Sequence, residues 1–423
     1  MPSQRVAKDE LPVWPEQVIG GKYVRLLEKF LKQLRSEDAH GNRKLFLDDV
    51  FVAYLLAFFN PAIRSLRTIE DFSQTVQAQK HLSIRKITRS TLSDFNQLAD
   101  PERLQPILDA LRRQLARKSK RQSIGDDDLD ELLQQTVAVD GTFLPAVAEV
   151  AWAMCNTNNH GAKKHRARVD VHLPVSTWLP EAIVIPSPGQ SEADSAIERL
   201  QPGRIYLYDR GFMSFALLAA HYDDTHALQS HFVARYRPAG GNSPTLREVK
   251  SRELTEKDKA AGVLSDGVGH FKSSNPSRHR VPRVQLREVI VACEEKGKPS
   301  QLRLITNLLD VPAHVIAMLY RYRWQVELFF RWLKSSANFG HLISHASEGV
   351  QTHFYVAVIA VLLMYLHTGY RPSKYLFALM GQVGRGAATL EEILPILRER
   401  ERQNELARQS AARRSEKKKQ QST

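Results

Sequence analysis

The stretch Leu319–Lys334, LYRYRWQVELFFRWLK, decides how the chain is read. Its apolar spacing predicts one helix, opened by Pro312 at a helix start. At about 100° per residue, Tyr320, Arg323, Glu327 and Lys334 point in directions of roughly 0°, 300°, 340° and 320°, so all four share one narrow stripe. Leu319, Val326, Phe330 and Leu333 fall on an adjoining arc that can be buried. A carboxylate between two strong cations and a phenol can hold a metal ion and the phosphates around it. The same residues also fit a solvated face on which Arg323 and Glu327 form an ordinary i,i+4 pair.

Two further carboxylates stand at predicted strand ends upstream. Thr136–Val139 (TVAV) is a short β-branched run ending in Asp140-Gly141, and Ile205–Tyr208 (IYLY) ends in Asp209-Arg210-Gly211. A carboxylate at the end of an apolar strand can project into a site while the strand stays buried. An isolated Asp before Gly is also at home in a plain turn. Between the two lie the basic run Lys163–Arg168 and the sequences VDVHLPV and WLPEAIVIP, which read as consecutive strands. Ser191–Leu200 reads as a helix, and a helix at Phe212–Tyr222 and a strand at Phe232–Arg237 follow Asp209. The predicted order is strand (Asp140), strand, strand, helix, strand (Asp209), helix, strand, and then the helix of Glu327.

Tyr320-x2-Arg323-x3-Glu327-x6-Lys334, without gap or substitution, resembles the signature of the IS4-type DDE transposases of bacterial insertion sequences, the group that includes the Tn5 transposase. The order of elements is similar to the RNase H-like fold of DDE transposases and integrases, in which two strands and a late helix deliver three carboxylates to one point. The resemblance implies an α/β protein whose RNase H-like catalytic core covers residues 133–340, with a β-rich insertion at 238–304. Residues 1–125 would then be a helical N-terminal DNA-binding domain, and 341–405 a helical C-terminal region. The basic tail 406–423 is expected to be disordered. The match is clear between about 133 and 340 and looser toward both ends. One departure is plain: relatives can hold a flipped base with a Trp in the insertion, and none of the five Trp residues lies there. Phe271 and His270 are the candidates to replace it.

The remaining composition agrees. The chain has 423 residues, enough for two or three domains and a sizeable core. With 43% hydrophobic residues it is globular rather than disordered. A net charge of +14 and a pI of about 9.7 favour a polyanionic partner, although a merely basic protein shares that charge. Ile84–Asp94 offers Arg85, Lys86 and Arg89 either as phosphate contacts or as a plain solvated helix face, with Ser90 as a capping signal; Ser65 can cap an earlier helix. The basic run Arg112–Arg121 followed by the acidic Asp126–Glu131 marks an exposed linker. Cys155 and Cys293 lie far apart without metal-ligand spacing, which points to a reducing compartment and to neither a zinc site nor a disulfide framework. The polar N-terminus predicts no signal peptide. The apolar run Tyr355–Leu366 is too short to span a bilayer and is predicted to be a buried helix. No membrane partner is expected, and the implied location is the bacterial cytoplasm, associated with the nucleoid.

Asp140, Asp209 and Glu327 are hard oxygen donors without Cys or His, a set that suits Mg²⁺, or Mn²⁺ as a substitute. Carboxylates are ordinarily ionised at neutral pH and need no tuning to bind such ions. By resemblance these three are the catalytic and metal-binding residues of a two-metal-ion transposase. Its reaction would run through nicking, hairpin formation, hairpin opening and strand transfer, on DNA comprising terminal inverted repeats and target. Tyr320, Arg323 and Lys334 would hold phosphates around the hairpin. Trp324 stacks on a base or packs in the core, and Arg210 contacts phosphate or pairs with an acid in its turn. A homodimer in a paired-end complex is implied, since two ends must be brought together. The alternatives are a noncatalytic DNA-binding descendant of a transposase and a nuclease that cleaves without joining.

Overall fold

The computed structural model describes most of residues 24–421; residues 1–23, 38–43, 119–126, 146–153, 158–162, 237–244, 272–283, 337–343 and several shorter stretches, among them 60–62, 83–85 and 370–373, lie outside the described residues. The chain divides into two compact units, residues 116–331 and residues 1–115 together with 332–423.

Residues 116–331 carry a ten-stranded mixed sheet. Its strands are β1 (Thr136–Pro145), β2 (Met154–Thr157), β3 (Lys163–Pro174), β4 (Ala182–Val184), β5 (Ile205–Tyr208), β6 (His231–Tyr236), β7 (Leu246–Ser251), β8 (Val263–Phe271), β9 (Leu286–Glu295) and β10 (Lys298–Thr306). Their order is β2-β3-β1-β5-β6-β10-β9-β8-β7, with β4 on β3. β1, β5 and β6 run parallel to one another, and β3 runs antiparallel to β1. This is a mixed α/β fold with an RNase H-like core. All four residues of β5 are buried, as a continuous apolar run in a parallel strand requires. Its Tyr206 and Tyr208 pack with Val137, Val139, Phe212, Leu217, Phe232 and Ile305 in one core. The strands of the segment expected as an insertion belong to this same sheet: β10 pairs with β6, and β9, β8 and β7 follow outward.

Several expectations shift in detail. β1 continues to Pro145, so Asp140 lies within the strand rather than at its end; its parallel pairing with β5 nevertheless stops at Val139 and Tyr208. The helix expected over Phe212–Tyr222 is a 3-10 turn, Arg210–Phe212, followed by a short helix, Phe215–Ala219, whose start is set by the Ser214 hydroxyl accepting from the Leu217 amide. Ser191 caps the Glu192–Ile197 helix. The single helix expected through Leu319–Lys334 is two helices, Ala313–Arg321 and Trp324–Ser336. Between them Tyr322, Arg323, Gln325 and Val326 donate to carbonyls only three residues back. No Gly or Pro marks this break; it coincides with Arg323 turning into a buried position among acids.

Residues 1–115 and 332–423 are helical and pack as one unit, although the sequence suggested separate terminal regions. The Ser347–Thr368 helix lies against Leu47–Phe59 and Arg89–Leu98. It begins earlier than the apolar run suggested. By length and composition alone it could cross a membrane, but 83% of its apolar window is buried, as in the core helix of a folded domain. Tyr54 and Asn96 join two of these helices by a buried hydrogen bond of 2.7 Å. The Ser65 cap is present, whereas Thr88 rather than Ser90 caps Arg89–Leu98. The last helix runs from Leu390 to Gln421, through residues of high helix propensity such as Ala, Arg, Glu, Lys and Gln, and extends over most of the basic tail.

Candidate active site

The register of the parallel strands builds the site. Val139 of β1 pairs with Tyr208 of β5, so Asp140 and Asp209 each stand one residue past the last paired rung, on neighbouring strands. Arg323 and Glu327 come from the broken helix that follows the sheet. Arg323 Nη1 lies 3.8 Å from Asp140 Oδ2, and its Nη2 donates to Glu327 Oε1 at 2.5 Å. The Tyr320 hydroxyl lies 3.5 Å from Asp209 Oδ1, and the Arg323 guanidinium lies 5.8 Å from the Tyr320 ring centroid. β1, the end of β5 and the two late helices thus bring Asp140, Asp209, Tyr320, Arg323 and Glu327 near one another, around the Arg323 guanidinium. The i,i+4 pair is present, but on a buried residue: Arg323 is 8% exposed.

Electrostatics follow from that burial. Burial pushes the Asp140 carboxyl up to about 7; Arg323 and the Gly141 amide pull it back, and the acids Glu192 and Asp209 push it further up. Asp140 therefore departs from the ordinary carboxylate range. Burial also raises the Tyr320 phenol well above its ordinary range, so it is a hydrogen-bond donor. For Arg323, burial favours loss of the proton, but Tyr320, Glu327 and Asp209 more than offset it.

The other expected residues sit as follows. Trp324 is 49% exposed, so it is not a core residue, and the Arg331 guanidinium lies 5.9 Å from its ring centroid. Arg210 is exposed in the turn after Asp209 and pairs with no acid among the described residues. Lys334 lies on the Trp324–Ser336 helix, and its side chain is outside the described residues, as is Arg85. Phe271 is buried against Phe215 and Tyr236 and cannot receive a base; His270 lies 3.8 Å from Glu248.

Four residues escaped the sequence reading. Arg235 of β6 reaches Asp209 at 4.0 Å. Arg168 and Asp170 of β3 form a buried two-point pair at 2.9 and 3.1 Å. Glu192, at the start of its capped helix, presents its carboxylate to Gly141 and Gly211. The two glycines that follow the aspartates were the available signal.

Among the described residues, no three Asp, Glu, His or Cys side chains converge closely enough to hold one ion as they stand. The donors nonetheless suit a hard divalent cation. A cationic group, the Arg323 guanidinium, already stands among acids from separate elements.

The chain also matches known proteins. Residues 131–363, more than half of the chain, match the family described as Transposase DDE domain. The chain is similar to y4zB of Sinorhizobium fredii, named as a transposase, with 25% identity over 53% of this chain and 59% of that one. A Geobacillus stearothermophilus protein, named as the transposase of insertion sequence element IS5377, is 33% identical over 23% of each chain. A Synechocystis protein, named as the transposase of element IS4SA, is 25% identical over 71% of this chain and 79% of that one. The match thus spans about three fifths of the first relative's length and under a quarter of the second's. A solved piggyBac transposase synaptic complex with hairpin DNA aligns with 90% of this chain and 83% of its own, at a TM-score of 0.37 and 12% identity. The chain belongs to the DDE transposase family, and its Tyr320–Lys334 signature is of the IS4 type.

Proposed function

We propose that this protein is an active, metal-dependent DNA transposase that cuts an insertion sequence out at its terminal inverted repeats and joins it to target DNA. What supports the reading is the buried Arg323 guanidinium, 3.8 Å from Asp140 and hydrogen-bonded to Glu327, with the Asp209 charge helping to hold its proton. Asp140, Asp209 and Glu327 would hold Mg²⁺, or Mn²⁺ in its place. When bound, such ions activate a water or DNA 3′-hydroxyl and stabilise the departing 3′ oxygen of an in-line phosphodiester displacement.

The chain's own residues do the rest. Arg323 withdraws from Asp140 and Glu327 and turns its planar fork to a phosphate. Tyr320, protonated, donates to a second phosphate oxygen, and Lys334 adds a point charge. Trp324, already exposed, stacks on a base near the bent strand, and Arg210 meets the backbone beside Asp209. Water nicks the end and releases a 3′-hydroxyl. That hydroxyl attacks the opposite strand to close a hairpin, a second water reopens it, and the same 3′-hydroxyl attacks target DNA. A homodimer holding two paired ends is the working assembly.

The test is cleavage of labelled DNA carrying the element's own ends. Wild type and Glu327→Ala are compared on denaturing gels with Mg²⁺, Mn²⁺ or EDTA. Nicks and hairpins are expected from wild type only, and only with metal. End binding without cleavage under either metal would instead identify a noncatalytic DNA-binding descendant.

A further inference from the structure

Arg235 has no place in the signature, yet strand register sets it beside the two aspartates. Tyr208 of β5 pairs with Val139 on one side and with Ala234 on the other. Asp140, Asp209 and Arg235 therefore follow at matching positions on three adjacent parallel strands. Side chains alternate between faces along a strand, so matching positions share a face. The row Asp140–Asp209–Arg235 has Arg323 at its first acid and Arg235 beyond its second. Both guanidiniums act on the Tyr320 phenol, which burial raises and which Arg323 and Arg235 pull back.

Three other arginines of the sheet are committed. Arg168 hydrogen-bonds to Asp170, Arg287 to Asp266 and Arg303 to Glu288, and all three are buried. Arg235 differs. Its side chain is 33% exposed, and both its acid partners, Asp209 and Glu295, stand at 4.0 Å, beyond hydrogen-bonding distance. Loose pairs in contact with solvent are worth little and are readily exchanged. A guanidinium held in this way has its planar fork available to a phosphate, whose oxygens it can take two at a time.

Glu295 reaches this place from a distance. It closes β9, opposite Lys298 of β10, whereas Arg235 pairs with Leu304, six residues farther along β10. In a flat sheet that offset is about 20 Å, more than the two side chains span. The β9–β10 hairpin therefore curls past the end of β6 and carries its tip back over the face of the two aspartates.

We propose that Arg235 binds a backbone phosphate of DNA beside the acid row, and that Glu295, at the tip of the hairpin, holds the guanidinium until that phosphate takes its place. The ligand is the phosphodiester itself, and no base is read. The inference rests on the DNA-cleaving reading of the site. It adds a phosphate contact on the Asp209 side, away from the one that Arg323 supplies.

The experiment measures binding of the full-length protein to a labelled duplex carrying the element's own ends, by fluorescence anisotropy over a series of KCl concentrations. Ca²⁺ is the cation, a hard ion that takes oxygen donors, and denaturing gels check that the duplex stays intact. Cleavage with Mg²⁺ and thermal midpoints without DNA are measured alongside. Arg235→Gln is expected to weaken end binding about tenfold and to make the slope of log K against log[KCl] shallower by about 1. Arg235→Lys should restore the slope without the full affinity, since a point charge replaces the fork. Glu295→Gln should tighten binding about twofold or more, and this gain should vanish when Arg235→Gln is also present. An Arg235→Gln protein with wild-type affinity and slope overturns the proposal. So does an unchanged slope with a lower thermal midpoint, which makes Arg235 a structural partner of Asp209. A Glu295→Gln gain that persists without Arg235 overturns the part given to Glu295. In each of these cases wild type still binds and cleaves the ends. A wild type that binds the ends no better than an unrelated duplex, and cleaves neither, overturns the DNA-cleaving reading and the Arg235 assignment with it.

Discussion

Arg323 is the residue on which the site turns. It was legible because Tyr, Arg, Glu and Lys at fixed helical intervals form a pattern within one short stretch. Its partners were less so: Asp140 stands on another strand, brought into reach by sheet register, and Glu192, Arg168, Asp170 and Arg235 carry no local motif. Sequence spacing shows what one element carries along its own face and not what a distant strand places opposite it. The pairing also has a consequence for metal binding. Arg323 and a divalent ion compete for Asp140 and Glu327, so Arg323→Gln should tighten Mn²⁺ binding while destabilising the metal-free protein. Both acids keep some solvent contact, at 20% and 31% side-chain exposure, so the loss is on the order of 1–3 kcal/mol rather than that of a sealed pair. Scanning fluorimetry with and without saturating Mn²⁺ checks this. The metal-induced rise in melting temperature should be larger in the variant than in wild type, and equal rises would show that the guanidinium does not contest the site.

At the scale of elements, the strands of the core were readable because β5 and β6 are short, apolar and buried, with turn residues at their ends. β7 was not, since only Leu246 of its six residues is buried and its pairing is supplied by β8. The break at Tyr322–Arg323 was hidden for a related reason: it is imposed by contacts across space and has no Gly or Pro to announce it. What holds the Tyr320 helix against β8 and β9 is a clamp that crosses elements. Arg287 of β9, almost wholly buried, forms two 2.7 Å bonds to Asp266 of β8. It also donates to the carbonyls of Leu308, Leu309 and Val311, just before the helix begins at Ala313. Arg287→Met keeps much of the apolar stem but leaves Asp266 buried without its charge partner, a loss of about 3–5 kcal/mol. Urea denaturation should show that loss as a lower midpoint. A variant as stable as wild type would mean that solvent reaches Asp266 freely.

At the scale of the whole chain, composition announced a basic globular protein, but it could not announce that the first and last helical segments pack into one unit. That packing depends on contacts between residues far apart in sequence, as when the Tyr355 hydroxyl donates to Gln105 at 3.0 Å. The helix at the centre of that unit carries a titration with a definite sign. Burial pushes His353 down to about 4, against about 6.5 in the unfolded chain. Between these values the unfolded chain binds the proton and the folded one does not, so stability is fully present above about 6.5 and falls as the pH drops toward 4. From pH 7 to pH 5 the loss for one such group is about 2 kcal/mol. Buried His172 and His221, down to about 4 and about 3, act with the same sign in the unit of residues 116–331. There Asp140, with its carboxyl raised to about 7, acts the other way, because its folded form takes up a proton first and gains stability as the pH falls. Absolute stability therefore mixes opposing contributions, and the difference between two proteins isolates one of them. The stability of His353→Leu at pH 7 is set by how well leucine fills the space. Its loss between pH 7 and pH 5 should nevertheless be smaller than that of wild type by about 2 kcal/mol. Urea melts in EDTA at the two pH values measure this difference, and parallel pH profiles would mean that His353 is reached by protons in the folded state.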